Sequence, residues 1–510
     1  MRKLNKKRIA MIAVLAFLII GCITGLVFAD VVGSVHEDGF QEEDGQTVYY
    51  QNGEKLYGLQ TIEGDKYYFE EETGYMAKGF KDIGKYTYYF RKTNGKMVHG
   101  FITISGKRYY FGEKNGRMAR GFKDIGDYRY YFDKDTGVMA KGFNDIGGYR
   151  YYFRNKTGHM AKGFSKIYGE MYHFDMETGH MSRGFEVIGK YTYYFGRATG
   201  KRIYGFHTVN GEKYYFGLKY GRMYKGLKTI GDYQYYFSKK DGHMIKGFKT
   251  IKGDKYYFSK KNGRMVHQFK TIGGKKYYFG KTSGKMFTGL HKIGKNVYTF
   301  SSKGVLQRTV YGDKKAICLT WDDGPSVNTP TIMNALIDNG GRGTFFVVGN
   351  RVDSYSQYLK DNYKAGNQIG NHSWSHPAFS SMSADDIREQ IKDTNNKIKS
   401  VTGKAPTIAR TPYGITSSSV NSAVNMPIIL WSIDTLDWKT QNADSTYNSI
   451  MNNARDGAVV LMHDLYSATA SASVRAIPAL VDRGYQLVTV EEMALLKGVT
   501  LQKGSVYGNF

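Results

Sequence analysis

A glycine recurs at a fixed interval over more than half of this chain. The copies stand 21 residues apart from Gly53 to Gly284, and one more follows at Gly304. The intervening copies are Gly74, Gly95, Gly116, Gly137, Gly158, Gly179, Gly200, Gly221, Gly242 and Gly263. A fixed period of this length is typical of repeat architectures, in which each unit packs mainly against its neighbours. Residues 46–307 are therefore predicted to form one repeat array.

Each unit of the array follows one pattern of aromatic residues and turns. One unit begins with Gly121-Phe122, continues through Ile125-Gly126 to Tyr130-Tyr131-Phe132, and closes with Gly137 and Met139. Short aromatic runs bounded by glycine and charged residues predict two strands joined by a tight turn. A single hairpin cannot bury its own apolar face. We therefore expect an all-β solenoid of about twelve stacked hairpins.

The Tyr, Phe and Met side chains of the repeats have two interpretations. They fill the core of the solenoid, or they form shallow apolar slots that bind the same ligand many times. Both interpretations can hold together. No acidic pair, Ser/His/Asp set or Cys/His metal spacing recurs in the units. The repeats are therefore expected to bind rather than to catalyse.

The N-terminus has the features of an export signal. A basic cluster, Arg2 to Arg8, precedes 21 uncharged and mostly apolar residues from Ile9 to Ala29. Residues 1–29 are therefore predicted to act as a signal peptide cleaved after Ala29 or as a membrane anchor, and a lipoprotein site at Cys22 is a third alternative. Each of these predicts an extracellular protein. The acidic residues 30–45 are interpreted as a linker.

The basic charge of the chain lies entirely in its N-terminal part. The net charge is +28, whereas residues 311–510 carry 18 Lys and Arg against 18 Asp and Glu. A basic, tyrosine-rich surface predicts an anionic partner whose binding weakens with salt. Nucleic acid is not expected as that partner, because export removes the protein from it. A disulfide-stapled scaffold is excluded, because Cys22 and Cys318 are the only cysteines.

The last 200 residues have a different composition and a different pattern. All 7 prolines and all 4 tryptophans lie there, and buried-strand patterns such as Ala316–Thr320 and Gly343–Val348 alternate with helix starts. This alternation predicts an α/β domain with a distorted (β/α) barrel over residues 311–497, followed by a tail at 498–510. In such a barrel, polar residues at the carboxyl ends of strands are the expected functional positions.

Acidic and imidazole side chains fall at those positions. Asp322 and Asp323 end the first predicted strand, His372 and His376 lie in a later loop, and His463 follows an apolar run. One Asp and two His suit Zn²⁺ or a similar divalent ion with positions left open for water. The second Asp is then free to act as a base.

The repeats resemble the choline-binding and glucan-binding cell-wall repeats of Gram-positive surface proteins. Those repeats carry Trp at positions where this chain has Phe and Tyr. The resemblance implies attachment to the cell wall. Because Trp is the best face for a quaternary ammonium, its absence makes an anionic wall polymer or glycan the expected ligand of the repeats.

The C-terminal domain resembles the NodB-homology polysaccharide deacetylases, carbohydrate esterase family four, over nearly all of residues 311–497. Five segments match that family in order: Thr320–Asp323, His372–His376, Arg410–Tyr413, Asp434–Trp438 and Val459–His463. The resemblance implies a metal-dependent hydrolase that removes acetyl groups from the nitrogen atoms of a glycan.

The resemblance also implies a role for each matching residue. Asp323, His372 and His376 would hold the metal, with Zn²⁺ preferred and Co²⁺ as an alternative. Asp322 would be the general base, and His463 would protonate the departing amine. Arg410 would hold Asp322, and Asp437 would orient His463. The backbone N–H of Tyr413 would stabilise the oxyanion. Trp438 and Leu461 would line the acetyl pocket.

Two classes of function follow from the sequence. The first is a wall-associated deacetylase acting on N-acetylglucosamine of peptidoglycan, with chitin, poly-N-acetylglucosamine and acetyl-xylan as alternative substrates. The second is a wall-binding adhesin whose C-terminal domain is catalytically idle. Loss of a metal ligand or of the base would favour the second class, and none is lost. The sequence therefore favours the enzyme.

Overall fold

The computed structural model describes residues 36–510 of the chain. The predicted export segment, residues 1–29, lies outside the described residues, and so does the start of the predicted linker. Within residues 36–510, no helix is both long enough and apolar enough to cross a membrane. The described chain divides into two compact units, residues 36–205 with 216–223 and residues 206–215 with 224–510.

The repeats form consecutive antiparallel β-hairpins, as predicted. In a representative unit Gly121 pairs with Phe132 and Phe122 pairs with Tyr131. The repeat strands are Gly39–Glu43, Gln46–Gln51, Glu54–Lys55, Gly58–Ile62, Asp65–Phe69, Gly79–Ile83, Tyr86–Phe90, Gly100–Ile104, Lys107–Phe111, Gly121–Ile125, Tyr128–Phe132, Gly142–Ile146, Tyr149–Phe153, Gly163–Ile167, Glu170–Phe174, Gly184–Ile188, Tyr191–Phe195, Gly205–Val209, Glu212–Phe216, Gly226–Ile230, Tyr233–Phe237, Gly247–Ile251, Asp254–Phe258, Gln268–Ile272, Lys275–Phe279, Gly289–Ile293, Asn296–Phe300 and Leu306–Val310.

Backbone hydrogen bonds and buried side chains join each hairpin to the one before it. The N–H of Met118 donates to the carbonyl of Thr87 in the preceding hairpin at 2.8 Å, and Met118 also forms a bridge with Phe111. The last residue of the second strand is a fully buried Phe, as at Phe111 and Phe132. The core interpretation of the repeat aromatics therefore holds for these positions, whereas the Phe after each strand-opening glycine stays near the surface, as at Phe80 and Phe122.

The recurring glycine is required by its backbone conformation and by its neighbours. Gly95 has φ +68°, in the left-handed region. A Cβ atom at Gly95 would overlap the side chain of Met76 from the preceding hairpin. Glycine is the residue that meets both conditions, and this explains why the 21-residue period is so regular.

The structure differs from the predicted start of the array. Residues Gly39–Glu43, assigned to the acidic linker 30–45, form a strand that pairs with Gln46–Gln51. The acidic side chains do not prevent this, because Glu42 is exposed and Glu43 is half-buried, while Val48 of the partner strand is fully buried. The carboxylate of Glu43 is also paired with Lys55 at 2.5 Å. The first hairpin therefore begins before residue 46.

The C-terminal domain alternates strands and helices. Its elements are β1 (Ala316–Gly324), α1 (Thr329–Asp338), β2 (Thr344–Val347), α2 (Ser356–Lys364), β3 (Gln368–Asn371), α3 (Ala384–Thr402), α4 (Ser418–Val424), β4 (Ile428–Ile429), β5 (Ile433–Asp434), α5 (Asp437–Thr440), α6 (Ala443–Asn453), β6 (Val459–His463), α7 (Ser467–Asp482), β7 (Gln486–Leu487), α8 (Val490–Lys497) and β8 (Val506–Tyr507). Three short 3₁₀ turns lie at Gly349–Arg351, Phe379–Ser381 and Pro412–Gly414.

The strands of this domain are parallel, as the predicted strand–helix alternation requires. They lie in the order β3-β2-β1-β6-β5, with β7 beside the start of β1. Single bridges at Ala409 extend the pairing from Asn371 to Ile428, and β4 pairs with β8. Ala458, just before β6, and Asn509, after β8, form one isolated antiparallel bridge, but within the described residues no continuous pairing of strands runs round the whole set. The parallel α/β architecture is therefore confirmed, and a closed barrel is not seen.

Two predicted boundaries of the domain also differ from the structure. The segment 498–510 is not a tail, because β8 pairs with β4 and the N–H of Phe510 donates to the carbonyl of Gly457 at 3.0 Å. A two-residue strand has too few residues to show periodicity in the sequence. At the other end, Val297 and Val310 of the last hairpin are buried in one cluster with Cys318, Val459 and Met493. The last hairpin therefore belongs to the core of this domain.

Candidate active site

The polar residues predicted from the sequence meet at one edge of the parallel sheet. Asp322 and Asp323 lie at the carboxyl end of β1, His372 follows β3, and His463 ends β6. Arg410 follows Ala409, the residue that bridges Asn371 and Ile428. Carboxyl ends of parallel strands point to the same edge, so separate parts of the chain supply one site.

Three of these side chains form a potential metal site. The ligand atoms of Asp323, His372 and His376 lie within 4.8 Å of one another. The Nε2 atoms of His372 and His376 are each 3.4 Å from Oδ1 of Asp323. The Nδ1 atom of His372 contacts the carbonyl of Arg410 at 2.7 Å, which turns Nε2 toward the site.

The electrostatics of this cluster fit a bound cation. The Oδ1 atom of Asp323 is buried and has no hydrogen-bond partner among the described residues, which is an arrangement that a metal ion satisfies. Burial opposes ionisation of Asp323, but His372 and His376 outweigh it and lower the pKa of Asp323 from 3.8 to about 2. Burial opposes protonation of His372, but Asp322 and Asp323 outweigh it and raise the pKa of His372. Burial and His372 lower the pKa of His376. A cation would take the place of the proton on the imidazoles.

Asp322 is held from behind by a buried arginine. The Nη1 atom of Arg410 donates to Oδ1 of Asp322 and to Oγ1 of Thr320, both at 2.8 Å. Its Nε donates to the carbonyl of Ile429 at 2.8 Å, and Nη2 donates to the carbonyl of Leu430 at 3.0 Å. Arg410 is fully buried. One carboxylate oxygen of Asp322 is therefore fixed, and Oδ2 is left on the side of His372, whose Nε2 is 3.6 Å away.

On the other side of the cavity, His463 is oriented by Asp437. The Nδ1 atom of His463 is 2.9 Å from Oδ1 of Asp437, and its backbone N–H donates to Oδ2 at 2.7 Å. Thr469 also donates to Oδ2 at 2.7 Å. Burial opposes protonation of His463, but Asp437, Asp322 and Asp323 outweigh it and raise the pKa of His463. The imidazole is thus held ready to carry a proton on Nε2.

These groups border a cavity of about 360 Å³. Its lining residues are Asp322, Asp323, His372, His376, Thr411, Tyr413, Gly414, Trp431, Asp434, Trp438, Leu461, His463 and Tyr466. Arg410 and Asp437 do not line the cavity themselves. Arg410 is hydrogen-bonded to Asp322, and Asp437 is hydrogen-bonded to His463, and these two partners line it. The structure therefore brings all the residues predicted for the site into one place. Tyr413 adopts the left-handed conformation with φ +59°, and its side chain is exposed.

Some of the cavity wall carried no assigned role in the sequence-based prediction. The indole of Trp431 packs close to the backbone of Gly414. A Cβ atom added to Gly414 would lie 2.8 Å from this indole. Thr411 is buried, and its hydroxyl has no hydrogen-bond partner among the described residues. Tyr466 packs against His463, with 6.0 Å between ring centroids. Trp431 lies two residues after β4, and this position near the end of a parallel strand is the signal that points to it.

Comparison with known protein families agrees with this geometry. The family model described as polysaccharide deacetylase matches residues 309–427 of this chain. The choline-binding repeat matches residues 56–99, 77–122, 98–142, 140–184, 224–268 and 245–289.

Among curated relatives, the peptidoglycan-N-acetylmuramic acid deacetylase PdaC of Bacillus subtilis is 41% identical over 192 residues, which are 38% of this chain and 41% of the relative. The peptidoglycan-N-acetylglucosamine deacetylase PgdA of Listeria monocytogenes is 39% identical over 194 residues, again 38% of this chain and 41% of the relative. A peptidoglycan-N-acetylglucosamine deacetylase of Bacillus cereus is 34% identical over 189 residues, which are 36% of this chain and 69% of the relative.

The fold, the metal-ligand set and these similarities define the class of the protein. The chain belongs to the polysaccharide deacetylase family. It spans about two fifths of the length of the first two relatives, and the polysaccharide deacetylase family model matches its C-terminal part.

Proposed function

We propose that this chain is an exported, metal-dependent deacetylase that removes N-acetyl groups from cell-wall glycan while its repeats hold it on a wall polymer. The observation that carries the proposal is the cavity in which the cluster of Asp323, His372 and His376, with Asp322 beside it, faces the His463–Asp437 pair. Hydrolysis of an amide needs a base on one side of the carbonyl and an acid near the leaving nitrogen.

The metal ligands in this proposal are Asp323, His372 and His376, and Zn²⁺ or Co²⁺ suits one carboxylate and two imidazoles. When bound, the ion would polarise the acetyl carbonyl and lower the pKa of water in the cavity. Asp322 accepts the proton of the attacking water at Oδ2, because Oδ1 is engaged by Arg410. The backbone N–H of Tyr413 donates to the oxygen of the tetrahedral carbon.

The carbon–nitrogen bond then breaks with a proton from His463. The Nδ1 atom of His463 faces Asp437, so the imidazole donates from Nε2 to the leaving nitrogen. An amine leaves poorly until it is protonated, and the raised pKa of His463 favours the form that can donate. Trp438 and Leu461 line the part of the cavity that takes the acetyl methyl group, and they exclude water from it.

Peptidoglycan is the proposed substrate because three of the relatives that this chain resembles are named as peptidoglycan deacetylases. Their names differ in the sugar, N-acetylmuramic acid for one and N-acetylglucosamine for others. We propose N-acetylglucosamine, as expected from the sequence, and the assay must separate the two sugars. A catalytically idle adhesin is the second function, and the intact ligand set with its base and acid weighs against it.

The decisive experiment measures acetate released from N-acetylated peptidoglycan by the full chain. We expect release that stops with a chelator and returns with Zn²⁺, together with free amino groups on the glucosamine rather than on the muramic acid. In Asp322→Asn, release should fall at least a hundredfold while bound metal, measured by elemental analysis, is retained.

Two controls separate the alternatives. An O-acetylated xylan tests for ester hydrolysis, and chitin oligosaccharides test for another N-acetyl polymer. Release that persists in Asp322→Asn would refute the assigned base. Absence of release on every acetylated polymer, with metal shown to be bound, would favour the binding protein.

A further inference from the structure

Most repeats place one aromatic ring near the surface at a constant position, the Phe that follows the first residue of the opening strand; Leu59, Leu227 and Leu290 stand at this position in three others. Phe80 is 45% exposed. Its ring packs on Tyr89 of its own hairpin at 4.9 Å and on Tyr109 of the next hairpin at 5.2 Å, both between ring centroids. The open face of such an aromatic group attracts a cation.

In several repeats the protein places its own cation over this ring. The Nζ atoms of Lys213, Lys255 and Lys276 lie 4.9 Å from the ring centroids of Phe206, Phe248 and Phe269. Arg108 covers Phe101 at 4.8 Å, and Arg150 covers Phe143 at 5.1 Å. In each pair the basic residue stands seven positions after the Phe.

The pairing register explains this spacing. In one hairpin Phe248 is opposite Tyr257, and Thr250 is opposite Lys255. Lys255 and Tyr257 are two residues apart on one strand, so both side chains point to the face that carries Phe248. A long basic side chain at that position therefore reaches the ring.

Three other repeats have a threonine at the same position. Thr47, Thr87 and Thr192 stand seven residues after Phe40, Phe80 and Phe185. Phe40 and Phe80 are 46% and 45% exposed, whereas Phe206 and Phe248 are 38% and 37% exposed. Phe185, in the third of these repeats, is 41% exposed. The rings covered by lysine are thus somewhat less exposed, and the chain contains repeats with and without a basic residue at this position.

The covering lysines keep their charge available. Over residues 36–510, no carboxylate lies within 4.0 Å of the amino groups of Lys213, Lys255 and Lys276, although other lysines of the repeats, such as Lys81 and Lys285, are paired in this way. Each free cation is held against a ring rather than moving in solvent. Less side-chain entropy is then lost when it binds an anion.

We infer that the covered slots bind the anionic groups of a linear wall polymer, phosphates or carboxylates, and do not bind quaternary ammonium. A quaternary ammonium would have to displace a tethered cation and then lie beside its charge. An anion instead meets a preorganised cation, and several such slots bind a repeating polyanion with avidity. This inference rests on the proposed function only in taking a wall polymer as the ligand.

The test uses the full chain and poly(glycerol phosphate) as the probe, with choline chloride as the competing cation. The variant replaces the covering lysines by threonine, as Lys213→Thr, Lys255→Thr and Lys276→Thr together. Threonine already occupies this position in other repeats, so the hairpins should still fold, and a thermal melt checks this. The matched control replaces Lys239, Lys260 and Lys281 by threonine; these are exposed turn residues and remove the same charge.

We expect the covering-lysine variant to lose at least tenfold in affinity for the polyanion, and the control variant to lose less than threefold. Choline chloride and sodium chloride should displace the unsubstituted protein from poly(glycerol phosphate) only at the same ionic strength. Choline should thus have no effect beyond that of its charge. The variant should bind a choline resin more strongly than the unsubstituted protein, because three rings become open.

Equal losses in the two variants would overturn the inference in favour of diffuse charge. Displacement of the unsubstituted protein by choline at low ionic strength would overturn it as well. Acetate release from soluble fragments of N-acetylated peptidoglycan is measured on the same samples. Failure of that reaction in every sample would count against the proposed enzyme and leave the polyanion result to stand by itself.

Discussion

At the scale of single residues, neighbours rather than residue type separate the carboxylates of the active site. Asp322 is fixed by Arg410, and Asp323 faces two imidazoles. Asp437 is fully buried and accepts hydrogen bonds from the backbone of His463 and from Thr469. Asp464 follows His463 directly and is buried among hydroxyl groups instead. Four aspartates in and around the candidate active site thus have four different sets of neighbours.

Removal of the Asp437 charge should shift the pH dependence of the reaction. Asp437 raises the pKa of His463, which must be protonated to act as the acid. In Asp437→Asn the pKa of His463 falls, so the alkaline limb of the profile of kcat/KM against pH should move to lower pH. The acidic limb, which reports the base, should move much less. A profile whose alkaline limb stays in place would show that another group donates the proton.

Asp464 should make the stability of the domain depend on pH. Burial raises the pKa of Asp464 from 3.8 to about 6, against the hydroxyls of Thr329 and Ser326. Between about pH 4 and pH 6 the folded state then holds more protons than the unfolded state, so stability falls as pH rises through this window. The loss attributable to Asp464 is about 3 kcal/mol above the window.

The measurement for Asp464 is a series of thermal melts of the full chain and of Asp464→Asn from pH 4 to pH 8. The variant cannot ionise at this position, so its Tm relative to the unsubstituted protein should rise between about pH 4 and pH 6.5 and then level off. A difference in Tm that is constant over the whole range would mean that Asp464 does not titrate in the folded state.

At the scale of elements, the last repeat hairpin behaves as part of the catalytic domain. Its strands Asn296–Phe300 and Leu306–Val310 bury Val297 and Val310 in the domain core. The Nη2 atom of Arg308 donates to the carbonyl of Leu487 at 2.7 Å, and its guanidinium lies 3.3 Å from Glu492. Glu492 is buried in the first turn of α8, where its carboxylate also caps the backbone of Thr489.

A fragment that begins at residue 311 should therefore be less stable than one that begins at residue 289. Loss of two buried valines alone removes about 4 kcal/mol of apolar burial, and Glu492 loses one of its two arginine partners. For a domain of this size the Tm should fall by roughly 10 °C. Thermal melts of the two fragments measure this, with a fragment from residue 268 as control. Equal Tm values for the fragments from 289 and 311 would contradict this assignment.

At the scale of the whole molecule, charge and chemistry are carried by different parts of the chain. The net charge of +28 arises from residues 1–310, and the candidate active site lies wholly within residues 320–466. In the proposed function, basic groups on the repeats would hold the protein on a polyanionic surface, where the local concentration of glycan is high. Such an arrangement would change access to substrate without changing the reaction itself.

The repeats should consequently matter for insoluble substrate and not for soluble substrate. We expect the full chain and the fragment from residue 289 to release acetate from soluble peptidoglycan fragments at equal rates. On intact, insoluble wall preparations the fragment should be at least fivefold slower, and the difference should shrink as salt rises from about 0.05 M to 0.5 M, because screening weakens the contacts of the repeats. If the full chain and the fragment had equal rates on the soluble and on the insoluble substrate, the repeats would have no anchoring role.

Much of the site was predictable because short motifs carry it. The Asp322-Asp323 pair, the spacing of His372 and His376, and the position of His463 after an apolar run indicated side chains that the structure brings together around one cavity. The regular glycines likewise determined hairpins of fixed length, because the left-handed backbone and the contact with a preceding methionine leave no room for a Cβ atom. Both are local properties that are repeated or concentrated in a few consecutive residues.

Tertiary structure alone decided the remaining features, because they arise between residues far apart in sequence. The burial of Val297 and Val310 in the catalytic core, the pairing of β8 with β4 and the raised pKa of Asp464 depend on contacts across more than 70 residues. The lysines that cover phenylalanine rings are seven positions away in sequence, yet only the pairing register shows that they share a face with those rings. The sequence by itself determined which groups are present, and packing determined which of them meet.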